Sequence, residues 1–180
     1  MKLFSTIFKL SCTAAITSLA ISVHAQNLVK DPGFEKSADS PNGNPFSADW
    51  TLVDPSGNSV AGGNSSFAHS GNNYAALGTA LAPPLAPTTG TLSQTLTTVA
   101  GGRYNLSFWL ANDIARPTNT FQVQFGNTLV FATPLMSPPF PGDGVYRLFG
   151  FSDLLATGTS TLLQFQFQHD QDFWRLDDIS

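Results

Sequence analysis

Three stretches of this chain alternate between apolar and polar residues, and that period of two constrains the fold more than any other feature. In Arg103–Asn112, Tyr104, Leu106, Phe108 and Leu110 fall on one side, while Arg103, Asn105, Ser107 and Trp109 fall on the other. Phe121, Val123 and Phe125 alternate with Gln122 and Gln124, and Leu163, Phe165 and Phe167 alternate with Gln164, Gln166 and Gln168. Successive side chains of a strand point to opposite faces, so each stretch is a strand with one dry and one wet side. Strands of that kind belong to antiparallel sheets. Further strands are expected at 27–29, 50–53, 74–77, 91–99, 128–131, 145–151 and 173–180, separated by turn signals such as Pro55-Ser56-Gly57 and Ala100-Gly101-Gly102. Eight to ten strands with no amphipathic helix between them imply an all-β, two-sheet sandwich. Its expected core is Leu28, Phe34, Trp50, Tyr104, Leu106, Phe108, Leu110, Phe121, Val123, Phe125, Phe165 and Phe167.

Residues 1–25 read differently. Lys2 and Lys9 precede an apolar stretch over 10–23, and Val23-His24-Ala25 offers a cleavage site before Gln26. This is the pattern of a secretory signal peptide, which leaves one domain over 26–180. The single cysteine, Cys12, lies inside the leader, so the exported domain is expected to stand without disulfides. Lys+Arg 8 against Asp+Glu 12 gives a net charge of −4. So few basic groups cannot neutralise a phosphate backbone, which excludes nucleic acid as a partner. The expectation is a monomer, secreted or held at the cell surface, with no stable membrane insertion once the leader is cleaved.

No catalytic constellation stands out. His69 and His169 are far apart in the chain, Glu35 is the only glutamate, and neither a zinc-protease helix motif nor a nucleophile elbow is present. His169, at a strand end, reads as a buried histidine with a satisfied hydrogen bond. Glycosidases need two carboxyls facing each other about 5–9 Å apart. Asp170 and Asp172 sit in an expected turn instead, so a non-catalytic protein is expected.

The wet strand sides carry the candidate site: Trp109, Gln124, Gln122, Gln166, Gln164, Asn105 and Arg103, with Gln168 beside them. Amides offer both donor and acceptor to sugar hydroxyls and cost less to desolvate than charges. Trp109 offers a ring face for stacking. If the strands share a sheet, these side chains form one glycan-binding face. The alternative is a structural or biofilm-matrix protein in which the glutamines form only cross-strand ladders. Two loops, 79–90 and 135–144, are the next candidates.

An ordered set of motifs supports the first reading. Asn27-Leu28-Val29-Lys30-Asp31-Pro32-Gly33-Phe34-Glu35 with Trp50, then His69-Ser70-Gly71-Asn72, Leu92-Ser93-Gln94-Thr95-Leu96, the 101–110 stretch and Phe173-Trp174-Arg175-Leu176-Asp177-Asp178-Ile179 follow one another along the chain. Together they resemble bacterial carbohydrate-binding modules of the family 4/9 type. The chain is also similar to small secreted proteins of the PEP-CTERM sorting class. The resemblance implies a galactose-binding-like jelly roll and a polysaccharide or cell-surface glycan as partner. It further implies a structural calcium ion (Ca2+) bridging the two chain ends through Glu35, Asp177 and Asp178; the alternative is solvated carboxylates. Leu176 and Ile179 are three apart, so a regular strand cannot bury both, and a bulge at Asp177-Asp178 is expected.

Overall fold

Ten antiparallel strands realise the alternation: β1 (Thr51–Val53), β2 (Val60–Gly62), β3 (Tyr74–Leu77), β4 (Gly90–Thr97), β5 (Arg103–Asn112), β6 (Thr120–Phe125), β7 (Thr128–Ala132), β8 (Arg147–Leu155), β9 (Ser160–Gln168) and β10 (Trp174–Asp177). The computed structural model describes residues 26–36, 46–79, 89–133, 140–169 and 172–180. The expected signal peptide at 1–25, most of the loop at 79–90 and half of the loop at 135–144 lie outside the described residues. The strands form two five-stranded sheets, sheet I in the order β1-β4-β9-β6-β7 and sheet II in the order β2-β3-β10-β5-β8. The chain crosses between the sheets repeatedly, and no α-helix occurs among the described residues. The fold is an all-β jelly-roll sandwich.

The apolar sides of both sheets meet in one core. Phe34, Phe108, Phe121, Phe165, Phe167, Leu92, Leu110, Leu163, Leu176 and Trp174 are fully buried there. Each such side chain contributes about 1.5–3 kcal/mol relative to exposure. Phe108 is the hub: its ring lies 5.6 Å from Phe165, 5.9 Å from Phe131 and 5.7 Å from Phe149. Leu28 and Tyr104, expected in the core, are only partly buried and pack against its edge.

The ends of the domain depart from the sequence expectation. Residues 27–29 are not a strand. A side chain takes the place of a strand neighbour: Lys30 N donates to Gln94 Oε1 at 2.7 Å, and Gln94 Nε2 donates to the Lys30 and Asp49 carbonyls at 2.9 Å. The chain then turns sharply, with Asp31 (φ 50°) and Phe34 (φ 59°) both in the left-handed region. Two side chains hold this turn, since Ser47 Oγ donates to Asp31 Oδ2 at 2.6 Å and Trp50 Nε1 donates to the Asp31 carbonyl at 3.0 Å.

At the other end a bulge is present, one residue further along than expected. Asp177 lies opposite Trp109, and Ser180 exchanges backbone hydrogen bonds with Ser107. Asp178 and Ile179 therefore oppose Phe108 alone, the two-against-one count of a bulge. Asp178 accommodates it at φ 46°, and Leu176 and Ile179 are both fully buried.

Candidate functional site

Register places the glutamines of β6 and β9 side by side on the outside of sheet I. Gln122 lies opposite Gln166, and Gln124 opposite Gln164. Across the other edge of β9, Thr91 faces Gln166 and Ser93 faces Gln164. Val53 and Thr51 extend the two rows through β1, and Ala132 and Leu129 extend them through β7. Neighbours within a row have Cβ atoms about 4.5–5.5 Å apart. None of the residues in these rows ionises. The five glutamines, Gln168 included, are half-buried. Their amides make no hydrogen bond to another described residue, so the alternative of a cross-strand ladder does not consume them.

Trp109, Asn105 and Arg103 lie elsewhere. They belong to β5, which pairs with β10 and β8 in sheet II, and so they point away from the opposite side of the sandwich. The expected single face is therefore two faces. Alternation along a strand fixes which side chains point outward, but it carries no information about which strands become neighbours. Trp109 does stack, on a partner within the protein: the His69 ring lies 3.8 Å away at 18°. Arg103 Nη1 donates to Asp153 Oδ2 at 2.8 Å, and Asn105 Oδ1 accepts from Asp153 N at 3.4 Å.

Glu35, Asp177 and Asp178 gather around the 69–73 loop. Glu35 Oε1 accepts the amides of Asn72 and Asn73 at 2.8 and 3.0 Å. Asp177 Oδ2 accepts those of His69 and Ser70 at 2.9 and 3.3 Å, and its Oδ1 accepts Asp178 N at 2.8 Å. Asp178 takes the Ser70 hydroxyl at 2.7 Å and meets His69 Nδ1 at 2.6 Å. Gly71 sits at φ 65° with its α-carbon so close that any side chain would run into the Glu35 carboxylate. Burial pushes Asp177 up to about 7, with Asp178 adding to the shift against the amide hydrogen bonds. A calcium ion needs several oxygens turned toward one point. Among the described residues no three His, Cys, Asp or Glu side chains are so placed. The three carboxylates accept hydrogen bonds from loop donors, and together they latch the loop to both chain ends.

His169 is fully buried at the end of β9, where its Nε2 lies 2.8 Å from Asn112 Oδ1, matching the sequence expectation. Sequence reasoning missed a pocket on the sheet II side, lined by Phe67, Tyr74, Asp113, Phe173 and Arg175 among others. Those residues come from four separate segments, and the one available signal was the exposed phenylalanine in a polar loop.

No family model matches the sequence, and no curated protein matches it. Solved structures do. The chain is similar to TmCBM61 in complex with β-1,4-galactotriose, at TM-score 0.61 and 16% identity, over 86% of this chain and 97% of that one. It is similar to the Stig cyclase Fisc from Fischerella sp. TAU at TM-score 0.57 and 16% identity, covering 84% and 93% of the two chains. The K2 cleaved adhesin domain of Lys-gingipain is a third, at TM-score 0.53 and 19% identity, covering 82% and 94%. At these identities the likeness establishes a shared fold, and that fold serves binding and enzymatic proteins alike.

Proposed function

We propose that this chain is a secreted, non-catalytic carbohydrate-binding domain that takes a neutral polysaccharide across the outer face of sheet I. One observation carries the reading: opposed glutamine pairs stand on an uncharged five-strand face with their amides bonded to no other described residue. Each amide brings two donors and an acceptor, the complement of a hydroxyl-rich chain. The rows repeat at strand spacing, which suits a polymer with repeated hydroxyls better than a compact ligand. Val53 and Leu129, 57% and 49% exposed, supply apolar contacts at the two ends of the rows. No calcium is needed at this face, and Trp109 takes no part.

Affinity-gel retardation on a panel of soluble neutral polysaccharides tests the reading. Each hydrogen bond removed is worth about 0.5–1.5 kcal/mol, so Gln124→Ala combined with Gln166→Ala weakens retention by about tenfold. Both positions are on the surface, and the fold should survive the change. Equal retention of a folded double variant would remove the face from consideration. Wild-type protein that passes through every gel unretarded would favour the matrix-protein reading.

A further inference from the structure

The outside of sheet II holds a differently built site. The β2–β3 loop folds back over β3 and β10, and together with the chain at 142–144 it lines an open pocket of about 550 Å³. This lies within the range of about 300–1,000 Å³ typical of small-ligand sites. A fixed planar pair lies in its wall. Arg175 Nε donates to Asp113 Oδ2 at 3.0 Å, and Arg175 Nη2 pairs with the second oxygen of the same carboxylate. Their side chains are only 16% and 13% exposed. The Arg175 guanidinium also lies 4.5 Å from the centre of the Phe67 ring. Two carboxylate contacts and a ring hold the fork in one orientation, so little freedom is left to lose on binding.

Phe67 itself is 43% exposed, unusual for a phenylalanine that packs edge-on against Tyr74 at 6.4 Å. It leaves an apolar ring at the mouth of a polar pocket. The loop carrying it is anchored, since the Tyr146 hydroxyl donates to the Phe67 carbonyl at 3.0 Å. Charge in the pocket is also defined. Asp113 is matched by Arg175, and Asp143 by Arg147 at 2.8 Å. Asp172 has no basic partner among the described residues, which leaves the pocket one negative charge in excess.

We infer that this pocket binds one neutral sugar ring, its hydroxyls meeting the polar atoms that the Arg175–Asp113 pair leaves free and its apolar C–H groups lying against the exposed part of Phe67. The guanidinium edge turned away from Asp113 still presents paired donors, and adjacent ring hydroxyls match such a pair. An aromatic ring covers the apolar face that a pyranose also carries. The excess carboxylate selects against uronic, sulfated or phosphorylated sugars. This site is separate from the glutamine face and does not depend on it. If both act, one molecule presents a lengthwise glycan surface and a single-ring pocket on opposite sheets.

Saturation-transfer NMR titration of the protein with galactose, glucose, mannose and galacturonic acid tests the inference. At least one neutral hexose is expected to bind, with galacturonic acid at least tenfold weaker. Phe67→Ala, at an exposed position, and Arg175→Lys, which keeps the charge but loses the fork, are each expected to weaken that hexose about tenfold. The Gln124→Ala, Gln166→Ala variant keeps hexose binding, and Phe67→Ala keeps polysaccharide retention, so failure of one site is distinguishable from failure of the other. Absence of hexose binding, unchanged affinity in a folded Phe67→Ala variant, or galacturonic acid binding as well as galactose would each overturn it.

Discussion

The outer faces of the two sheets start from the same alternation and finish in opposite states. On sheet I, Gln122, Gln124, Gln164 and Gln166 stand in rows, and their amides reach no other described residue. On sheet II, two of the outward residues lie beneath a loop: His69 stacks on Trp109, and Phe67 packs over Arg175. The strands do not make this difference; the connection does. The β2–β3 loop is held down by the Glu35 and Asp177 carboxylates and by the Tyr146 hydroxyl. A strand pattern thus decides what faces outward, while anchors far away in the chain decide whether that face stays open. An open, uncharged face suits a long polymer, and a roofed, charged face leaves room only for a pocket.

The largest effect is expected beneath both faces. Phe108 touches rings from both sheets: Phe165 and Phe131 from sheet I, Phe149 and Phe151 from sheet II. Phe108→Ala should cost roughly 3–5 kcal/mol, read as a fall in the urea midpoint, and polysaccharide and hexose binding should fail together. If one activity survived intact in a strongly destabilised variant, the two faces would not share a common support.

A smaller change should separate the faces. Asp177 is buried and takes three backbone amides, two of them from the loop over sheet II. Asp177→Ala leaves those donors without their acceptor, at about 1–3 kcal/mol. Hexose binding should weaken while retention on polysaccharide gels does not. Because the carboxylates are occupied by loop donors, excess EDTA should leave the melting temperature of the wild-type protein unchanged. A drop on chelation would show that the cluster opens toward a cation after all.

The parts of this molecule legible in the sequence are those where one residue's neighbours in the chain are also its constraint. The strands at 103–112, 120–125 and 160–168 announce themselves because burial on one side dictates every second residue. The bulge was legible for the same reason, since Leu176 and Ile179 cannot both face inward from a regular strand. β2 was missed because Val60-Ala61-Gly62 is too short to show a period. The expectation of a strand at 27–29 failed because Gln94, a side chain more than sixty residues away, supplies the hydrogen bonds that a neighbouring strand would. That Trp109 lies apart from the glutamines was hidden for a related reason. Its outward direction was readable, but its pairing with β10 and its cover by His69 depend on segments distant in sequence.

The smallest expected effect lies at the joint between the two regions, where the chain leaves β1 in sheet I for β2 in sheet II. Asp54 organises this turn: Oδ1 accepts the Ser56 amide at 2.9 Å and its hydroxyl at 2.6 Å, and Oδ2 accepts the Ser59 amide at 2.7 Å. Ser59 in turn donates its hydroxyl to the Gly78 carbonyl at 3.1 Å, tying the joint to the end of β3. Burial pushes the Asp54 carboxyl up, but the hydrogen bonds from Ser56 and Ser59 outweigh it and hold the group below its ordinary value of 3.8. A depressed folded-state value means that the folded protein prefers the ionised form. The stabilisation is therefore present above the ordinary carboxylate range and is lost as pH falls through the folded-state value. Asp54→Asn should lower the melting temperature slightly near neutral pH, and the gap from wild type should shrink as pH falls through the folded-state value, below the ordinary carboxylate range. Neither glycan activity should change, because the joint carries no residue of either face. A gap that stayed constant into acid would mean that Asp54 acts through its shape alone, and a lost activity would mean that the joint sets how the two faces are held.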